Sequence, residues 1–116
     1  MNWLKMSESE ILSIANPIMD NLMEASTSID HERHVKDFTD DLKSIVTEEN
    51  LKAQYREYQA KLGYFAEREF AAVFRKETDV AVFWKQRYTK SNGEHIAFLR
   101  LVCVGKRVLV QNVSVT

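Results

Sequence analysis

Apolar residues recur along this chain with two periods, and the change comes at Tyr64. In the first half the period is helical. Ile11, Ile14, Ala15, Ile18, Leu22 and Ala25 fall three or four apart and form one stripe, as a helix lying on a core requires. Ser7 and Glu10 stand ahead of it as a capping box, in which the serine oxygen and the glutamate each satisfy an orphan backbone N–H. Met6 and Ile11 flank the box at the spacing of a hydrophobic staple. Pro17 removes a backbone donor inside this helix, which predicts a bend, or a break with Asn16 as a second cap. The helix should end near residues 26–28. Asp30 can cap a short second helix whose face carries His31, Val35 and Phe38. "LKSIV", residues 42–46, reads as a short extended segment. Thr47 caps a third helix, with Glu48 and Glu49 favourably placed in its first turn. Its buried stripe is Leu51, Tyr55, Tyr58 and Leu62, and Gly63 stands where a left-handed C-terminal residue is wanted.

From Tyr64 onward the period is two. "EREFAAVFR", "VAVFWKQRY", "HIAFLRLVCV" and "RVLVQNVSV" are rich in β-branched and aromatic residues and predict four strands. Asn92-Gly93 offers positive φ angles for a tight hairpin between the second and third, and Gly105 for one between the third and fourth. Helices followed by an antiparallel meander make an α+β fold: one domain over residues 1–116, with three N-terminal helices packed on a curved sheet.

Both faces of these strands are apolar. In the third, His95, Ala97, Leu99, Leu101 and Cys103 alternate with Ile96, Phe98, Arg100, Val102 and Val104; in the fourth, Leu109, Val113 and Val115 fall opposite Val108 and Val110. Three helices can cover only one side, and the other exceeds what soluble monomers usually expose. This predicts a homodimer through the outer sheet face, with Arg100 pairing Glu67 or Glu69 of a neighbouring strand or of the partner.

Composition adds exclusions. A chain of 116 residues can build a core without staples, and 45% hydrophobic with 28% charged residues is the profile of a soluble globular protein. No apolar run approaches the roughly 18–20 residues that span a bilayer. "MNWLKMSESE" has no apolar stretch behind its lysine and does not read as a signal peptide, so no membrane partner is expected and the location reads as cytoplasmic. Cys103 is the only cysteine, which excludes a disulfide framework and a thiolate metal cage. Alternating with Leu99 and Leu101, it should be a buried, inert hydrophobe. Residues 1–60 hold 6 Lys/Arg against 12 Asp/Glu and residues 61–116 hold 10 against 5. The bases are scattered, as they are where they blunt exposed strands, so no nucleic-acid partner is expected.

The stretch "SIDHERHVKDFTDD", residues 28–41, places His31 and His34 three apart among aspartates. On a helix both could reach one ion, with Asp30 or Asp37 completing the site. Asp30, as a cap, is already committed to backbone N–H groups, and no third ligand follows at helical spacing; the stretch reads as the polar rim of a helix, with no metal. Without a Gly-x-Ser-x-Gly, and with 3 glycines in all, the chain offers neither a nucleophile elbow nor a phosphate cradle, and no cofactor is implied.

The layout resembles the nuclear transport factor 2-like superfamily of cone-shaped α+β domains. In that family a phrase of the type D-x(7)-F-x-D-D follows a long first helix, and Asp30, Phe38, Asp40 and Asp41 stand in those places. Members include ketosteroid isomerase, scytalone dehydratase, polyketide cyclases, transport adaptors and many small proteins without known activity. The isomerases set a base aspartate on the strand after that phrase, where this chain has Ser44, Ile45 and Val46, and a tyrosine on the first helix, where residues 7–28 hold none. The resemblance therefore implies the cone and not the isomerase chemistry.

Within a cone, Trp84, Gln86 and Tyr88 share one strand face and can line a pocket mouth with Tyr55 and Tyr58, while Arg68 or His34 adds a polar anchor. Trp3 belongs to an N-terminal arm. The alternative is that these aromatics are core with their polar tips at its edge. The function this supports is a small domain without recognised catalytic machinery, dimeric, binding a small apolar or amphipathic molecule in the cone. The rivals are a lyase or isomerase using His34 or a pocket tyrosine as acid or base, and an adaptor that holds a protein through its sheet.

Overall fold

The computed structural model describes residues 1–116. A 3-10 turn at Trp3–Lys5 leads into α1 (Glu8–Thr27), α2 (His31–His34), α3 (Asp40–Ile45) and α4 (Glu48–Leu62). Then come β1 (Phe65–Arg75), β2 (Asp79–Tyr88), β3 (His95–Val104) and β4 (Arg107–Val115). The strands form one antiparallel meander in sequence order. The α+β class follows directly: helices on one side of a four-stranded antiparallel sheet.

The helix starts are where the capping chemistry requires. Ser7 Oγ accepts the Glu10 N–H at 3.1 Å and Glu10 Oε1 accepts the Ser7 N–H at 3.1 Å, closing the box. Asp30 caps α2 through the Arg33 N–H at 3.2 Å, and Thr47 caps α4 through the Asn50 N–H at 3.2 Å. Gly63 ends α4 at φ 81°, and Thr89 Oγ1, which accepts the Tyr64 N–H at 2.9 Å, fills the space a Cβ there would need. Only glycine fits that corner.

Several expectations are corrected. α1 is not broken at Pro17 and Asn16 forms no second cap; Pro17 and Ser13 are both exposed, so the carbonyl that loses its donor can meet water. The extended segment at residues 42–46 is instead the end of α3, because Thr39 Oγ1 accepts the Leu42 N–H at 3.3 Å and Asp40 and Asp41 sit at the positive end of its first turn. The helices therefore number four. Gly93 does not take a positive φ. Residues 89–94 form a longer loop in which Ser91 Oγ accepts the Gly93 N–H at 3.1 Å, whereas Gly105 does turn at φ 64°. Trp3 is no arm: it is 1% exposed and belongs to the main core. Its turn is held by Arg75 Nε, which donates to the Met6 carbonyl at 2.8 Å. Cys103 is only half-buried, at the strand end beside Met1, its Sγ 3.6 Å from the Met1 Sδ.

The core lies between α1 and the inner sheet face. Ile11, Ala15, Met19 and Leu22 of α1 meet Val80, Val82 and Trp84 of β2, Ala97, Leu99 and Leu101 of β3, and Val110 of β4. Bulges curve the sheet. β1 carries an extra residue between Phe65 and Arg68 and another between Phe70 and Ala72, and β4 carries one at Gln111. The β4 bulge breaks the alternation. Val110, paired with Leu101, and Val113, paired with Leu99, both face inward, while Leu109 pairs with Val102 on the outer side, the reverse of strict period two. At the first β1 bulge the buried Gln86 amide donates to the carbonyls of Ala66 at 3.2 Å and Glu67 at 3.3 Å, groups that the interrupted ladder leaves unpaired.

The outer face has no covering element. Phe83 and Phe98 pair across β2 and β3 with ring centroids 5.0 Å apart, and Phe74 meets Phe83 edge-on at 5.7 Å. Phe74, Ile96 and Val104 are each 56% exposed. Arg100 pairs with neither Glu67 nor Glu69. Its Nε lies 3.2 Å from Asp79 Oδ1, on the adjacent strand of the same chain.

Candidate functional site

α2 is a single turn, and it turns its two histidines to different partners. His31 Nε2 lies 2.9 Å from the Val46 carbonyl and ties α2 to the end of α3. His34 points into the protein at 6% exposure, edge-on to Phe38 at 5.3 Å and to Tyr55 at 6.3 Å. Its Nδ1 is buried and has no hydrogen-bond partner. Burial, aided by the nearby His31, lowers the His34 pKa to about 4, so the ring is neutral at pH 7 and carries one donor and one acceptor nitrogen.

His34 faces a cavity of about 90 Å³ between α1, α4 and the inner faces of β2 and β4. Met19, Leu22, Met23 and Ser26 line it from α1, Leu51, Gln54, Tyr55 and Tyr58 from α4, and Phe65, Tyr88, Val113, Ser114 and Val115 from the sheet, with Val46 at the end of α3. No charged side chain takes part. Tyr55 and Phe65 meet edge-on at 6.2 Å and Phe65 and Tyr88 lie 5.2 Å apart, so the aromatic side of the cavity is a continuous wall. Burial raises the Tyr55 pKa, partly offset by a hydrogen bond with Ser26. Burial likewise raises that of Tyr88, with Tyr55 and Tyr58 adding to it. Both phenols stay protonated at neutral pH. Behind Tyr55 and Tyr58 a recess of about 10 Å³, reaching Gln59 and Gly63, is on the scale of one water.

Of the residues singled out in the sequence, His34, Tyr55, Tyr58 and Tyr88 come together here, while Trp84, Gln86 and Arg68 do not. All three of the latter belong to the inner side of the sheet, but an extended strand advances about 3.3 Å per residue. Trp84 is thus about 13 Å along the strand from Tyr88, too far to share so small a cavity. It packs under α1 instead, with the Arg68 guanidinium 5.0 Å above its ring. Arg68 is held by Asp20 Oδ1 at 2.7 Å and by Met23 Sδ at 3.2 Å. Gln86 is fully buried, with its amide nitrogen committed to backbone carbonyls at the β1 bulge and its Oε1, away from the cavity, without a partner. Met19 and Met23 are lining residues outside the sequence-derived set. Their spacing of four, beside the α1 stripe, is the signal that could have found them.

The arrangement can enclose an apolar body and offer it hydrogen bonds from imidazole, phenol, hydroxyl and amide groups. It holds no carboxylate or thiol. No helix is long and apolar enough to cross a membrane.

No protein-family model matches the chain, and no curated protein matches its sequence. Solved structures are similar in fold. RPA3114, a SEC-C motif containing protein from Rhodopseudomonas palustris, superposes with a TM-score of 0.57 at 14% identity, covering 98% of each chain. Bd1075 from Bdellovibrio bacteriovorus superposes at 0.56 and 12% identity over 96% of this chain, which spans only 43% of that one. At such identities the likeness is one of fold, and it supports the α+β arrangement of helices on a curved antiparallel sheet.

Proposed function

We propose that this chain is a small binding domain of the nuclear transport factor 2-like cone type, and that it holds a small apolar molecule in the cavity beside His34. The observation that carries this is a buried imidazole, one nitrogen of which has no partner, in the wall of a cavity lined mostly by apolar side chains. Native interiors pair their buried polar atoms, and the exceptions call for a role. The enzyme alternative is less favoured, because a general acid or base works best with a pKa near the operating pH. Here His34 is pushed down and the two buried tyrosines are pushed up, all away from neutrality. At about 90 Å³ the cavity is also far short of a steroid.

The test is methyl NMR on protein labelled at methionine, titrated with a library of small uncharged fragments. Met19 and Met23 line the cavity, whereas Met1 and Met6 lie outside it and serve as internal controls. Saturable shifts confined to Met19 and Met23 support the reading. A library that leaves them still, or moves all four alike, removes it.

The outer sheet face favours a second element of this reading, a homodimer. Its central charges are paired within the chain, Arg100 with Asp79 at 3.2 Å and Lys85 with Glu94 at 3.1 Å, and Glu69 stands in register with Lys85. Two copies can then meet face to face without opposing like charges, each Phe83–Phe98 row against the other in an isologous contact.

A further inference from the structure

We propose that the cavity selects an uncharged ligand carrying one hydrogen-bonding oxygen, that this oxygen meets His34, and that acids and amines of the same size are refused. This rests on the binding reading above and adds the chemical class of the occupant. Three observations lead to it.

The first is His34 itself, a side chain more than nine-tenths buried that lines the cavity and whose Nδ1 is buried without a hydrogen-bond partner. An apolar occupant leaves the imidazole without a partner; an alcohol or carbonyl oxygen within reach of the ring supplies one. The ring is neutral at pH 7, so it offers no charge to an acid.

The second is the charge census of the wall. The nearest fixed cation on the inner sheet, Arg68, is turned onto Trp84 and engaged by Asp20, and is not among the lining residues. A carboxylate or ammonium entering this space would lose its hydration and find no counter-ion.

The third is size. About 90 Å³ is less than the roughly 150 Å³ apolar cavity that takes up benzene. What sits inside is therefore limited to a small ring or short branched chain of at most about six heavy atoms, the largest of them only where the wall gives. Met19 and Met23 give that part of the wall some adaptability, since a thioether chain repacks easily.

The probes are four molecules of six heavy atoms each: cyclopentanol, methylcyclopentane, cyclopentylamine (an ammonium at pH 7) and cyclopropanecarboxylate. Each is titrated into the full chain, with the Met19 and Met23 methyls and the His34 imidazole nitrogens followed by NMR. Cyclopentanol is expected to bind about tenfold more tightly than methylcyclopentane, the worth of one buried hydrogen bond. It should shift the His34 ring nitrogens, and both ions should bind at least about a hundredfold more weakly than the alcohol. His34→Leu should abolish the preference for the alcohol while leaving the methionine shifts with methylcyclopentane in place. Methylcyclopentane binding as tightly as cyclopentanol overturns the proposal and leaves the binding reading standing, as does an ion that binds best. If none of the four moves Met19 or Met23, the binding reading falls and this one with it. Should His34→Leu fail to fold, the ranking on the unaltered protein decides alone.

Discussion

The Arg68 guanidinium lies 5.0 Å above the centre of the Trp84 ring, and Asp20 holds it there from α1 at 2.7 Å. The stack joins β1, β2 and α1 at the end of the core, on side chains whose spacing in the sequence suggested pocket residues. Arg68 is largely shielded, with 13% of its side chain exposed, while Asp20 is 60% exposed. The two contacts should therefore differ in weight. Arg68→Ala is expected to lower stability by about 1–2 kcal/mol, from lost stacking and packing, and Asp20→Asn by less than about 0.5 kcal/mol. Urea denaturation of the two variants checks the order. Equal losses would place the stabilisation in the ion pair.

α1 ends in a Schellman motif built on the wrong residue type. The Asp30 N–H donates to the Ala25 carbonyl at 2.8 Å and the Ile29 N–H to the Ser26 carbonyl at 3.1 Å, with Ile29 at φ 54°. Glycine is the usual occupant of that left-handed position, because a branched side chain crowds the backbone there. Ile29→Gly is expected to raise stability by about 0.5–1 kcal/mol, despite the greater chain entropy of glycine and the loss of a half-buried side chain. Thermal and urea midpoints measure it. A destabilised Ile29→Gly would mean that the isoleucine's packing outweighs its strain.

His34 gives stability an acid dependence whose sign can be worked out. Its pKa is about 4 in the folded chain, against an ordinary 6.5 when unfolded. Between those values the unfolded chain binds the extra proton, so this contribution is complete above pH 6.5 and is lost as pH falls toward 4. The full span is on the order of 3 kcal/mol. Carboxylates titrate in the same range, so the comparison with His34→Leu is what isolates it: the variant should lose less stability than the unaltered chain between pH 7 and 4. Parallel profiles would mean that His34 is protonated in place. Tyr55 and Tyr88 act at the other end. Their raised pKa values favour folding up to about pH 10, and stability falls as pH rises beyond it.

These features were unequally legible in the sequence. Local chemistry was plain. Ser7 with Glu10, Asp30 and Thr47 each act through groups within four residues, and each stands where its type requires. The bounds of the third and fourth strands likewise coincide with the runs read for them. What depends on chain count or long range was not. One bulge residue at Gln111 reverses which β4 side chains face inward, and nothing in "RVLVQNVSV" marks it. Trp3 is buried by elements far along the chain, and α3 forms because a threonine cap outweighs the extended preference of Ile45 and Val46. The cavity fell between these cases. His34, Tyr55, Tyr58 and Tyr88 were visible as polar-tipped aromatics on inward faces, but that the cavity lies at the Tyr88 end of β2, away from Trp84, appears only once the helices are placed on the sheet.

The last prediction concerns the outer sheet face. Four strands about 4.8 Å apart and some 30 Å long present a surface of about 19 by 30 Å. Along its middle run Phe74, Phe83 and Phe98, with Ile96, Val102 and Val104 toward its ends. That is at the upper limit of the apolar patches seen on soluble monomers, and with its rim it is on the scale of one side of a standard protein interface. Its internal ion pairs leave little net charge to keep two copies apart. A homodimer is therefore expected by sedimentation at micromolar concentration. Phe98→Asp should yield a monomer, because a carboxylate at the centre of the face would be buried against its own symmetry mate. Phe98 is only half-buried within the chain, so the folded monomer should survive the change. Asp79→Ala offers a second route: freeing Arg100 places an unpaired cation opposite its copy and should weaken association in a salt-dependent way, with high salt partly restoring it. A chain that sediments as a monomer at all concentrations, with Phe98→Asp changing neither mass nor stability, would show that this apolar face stands open in solution.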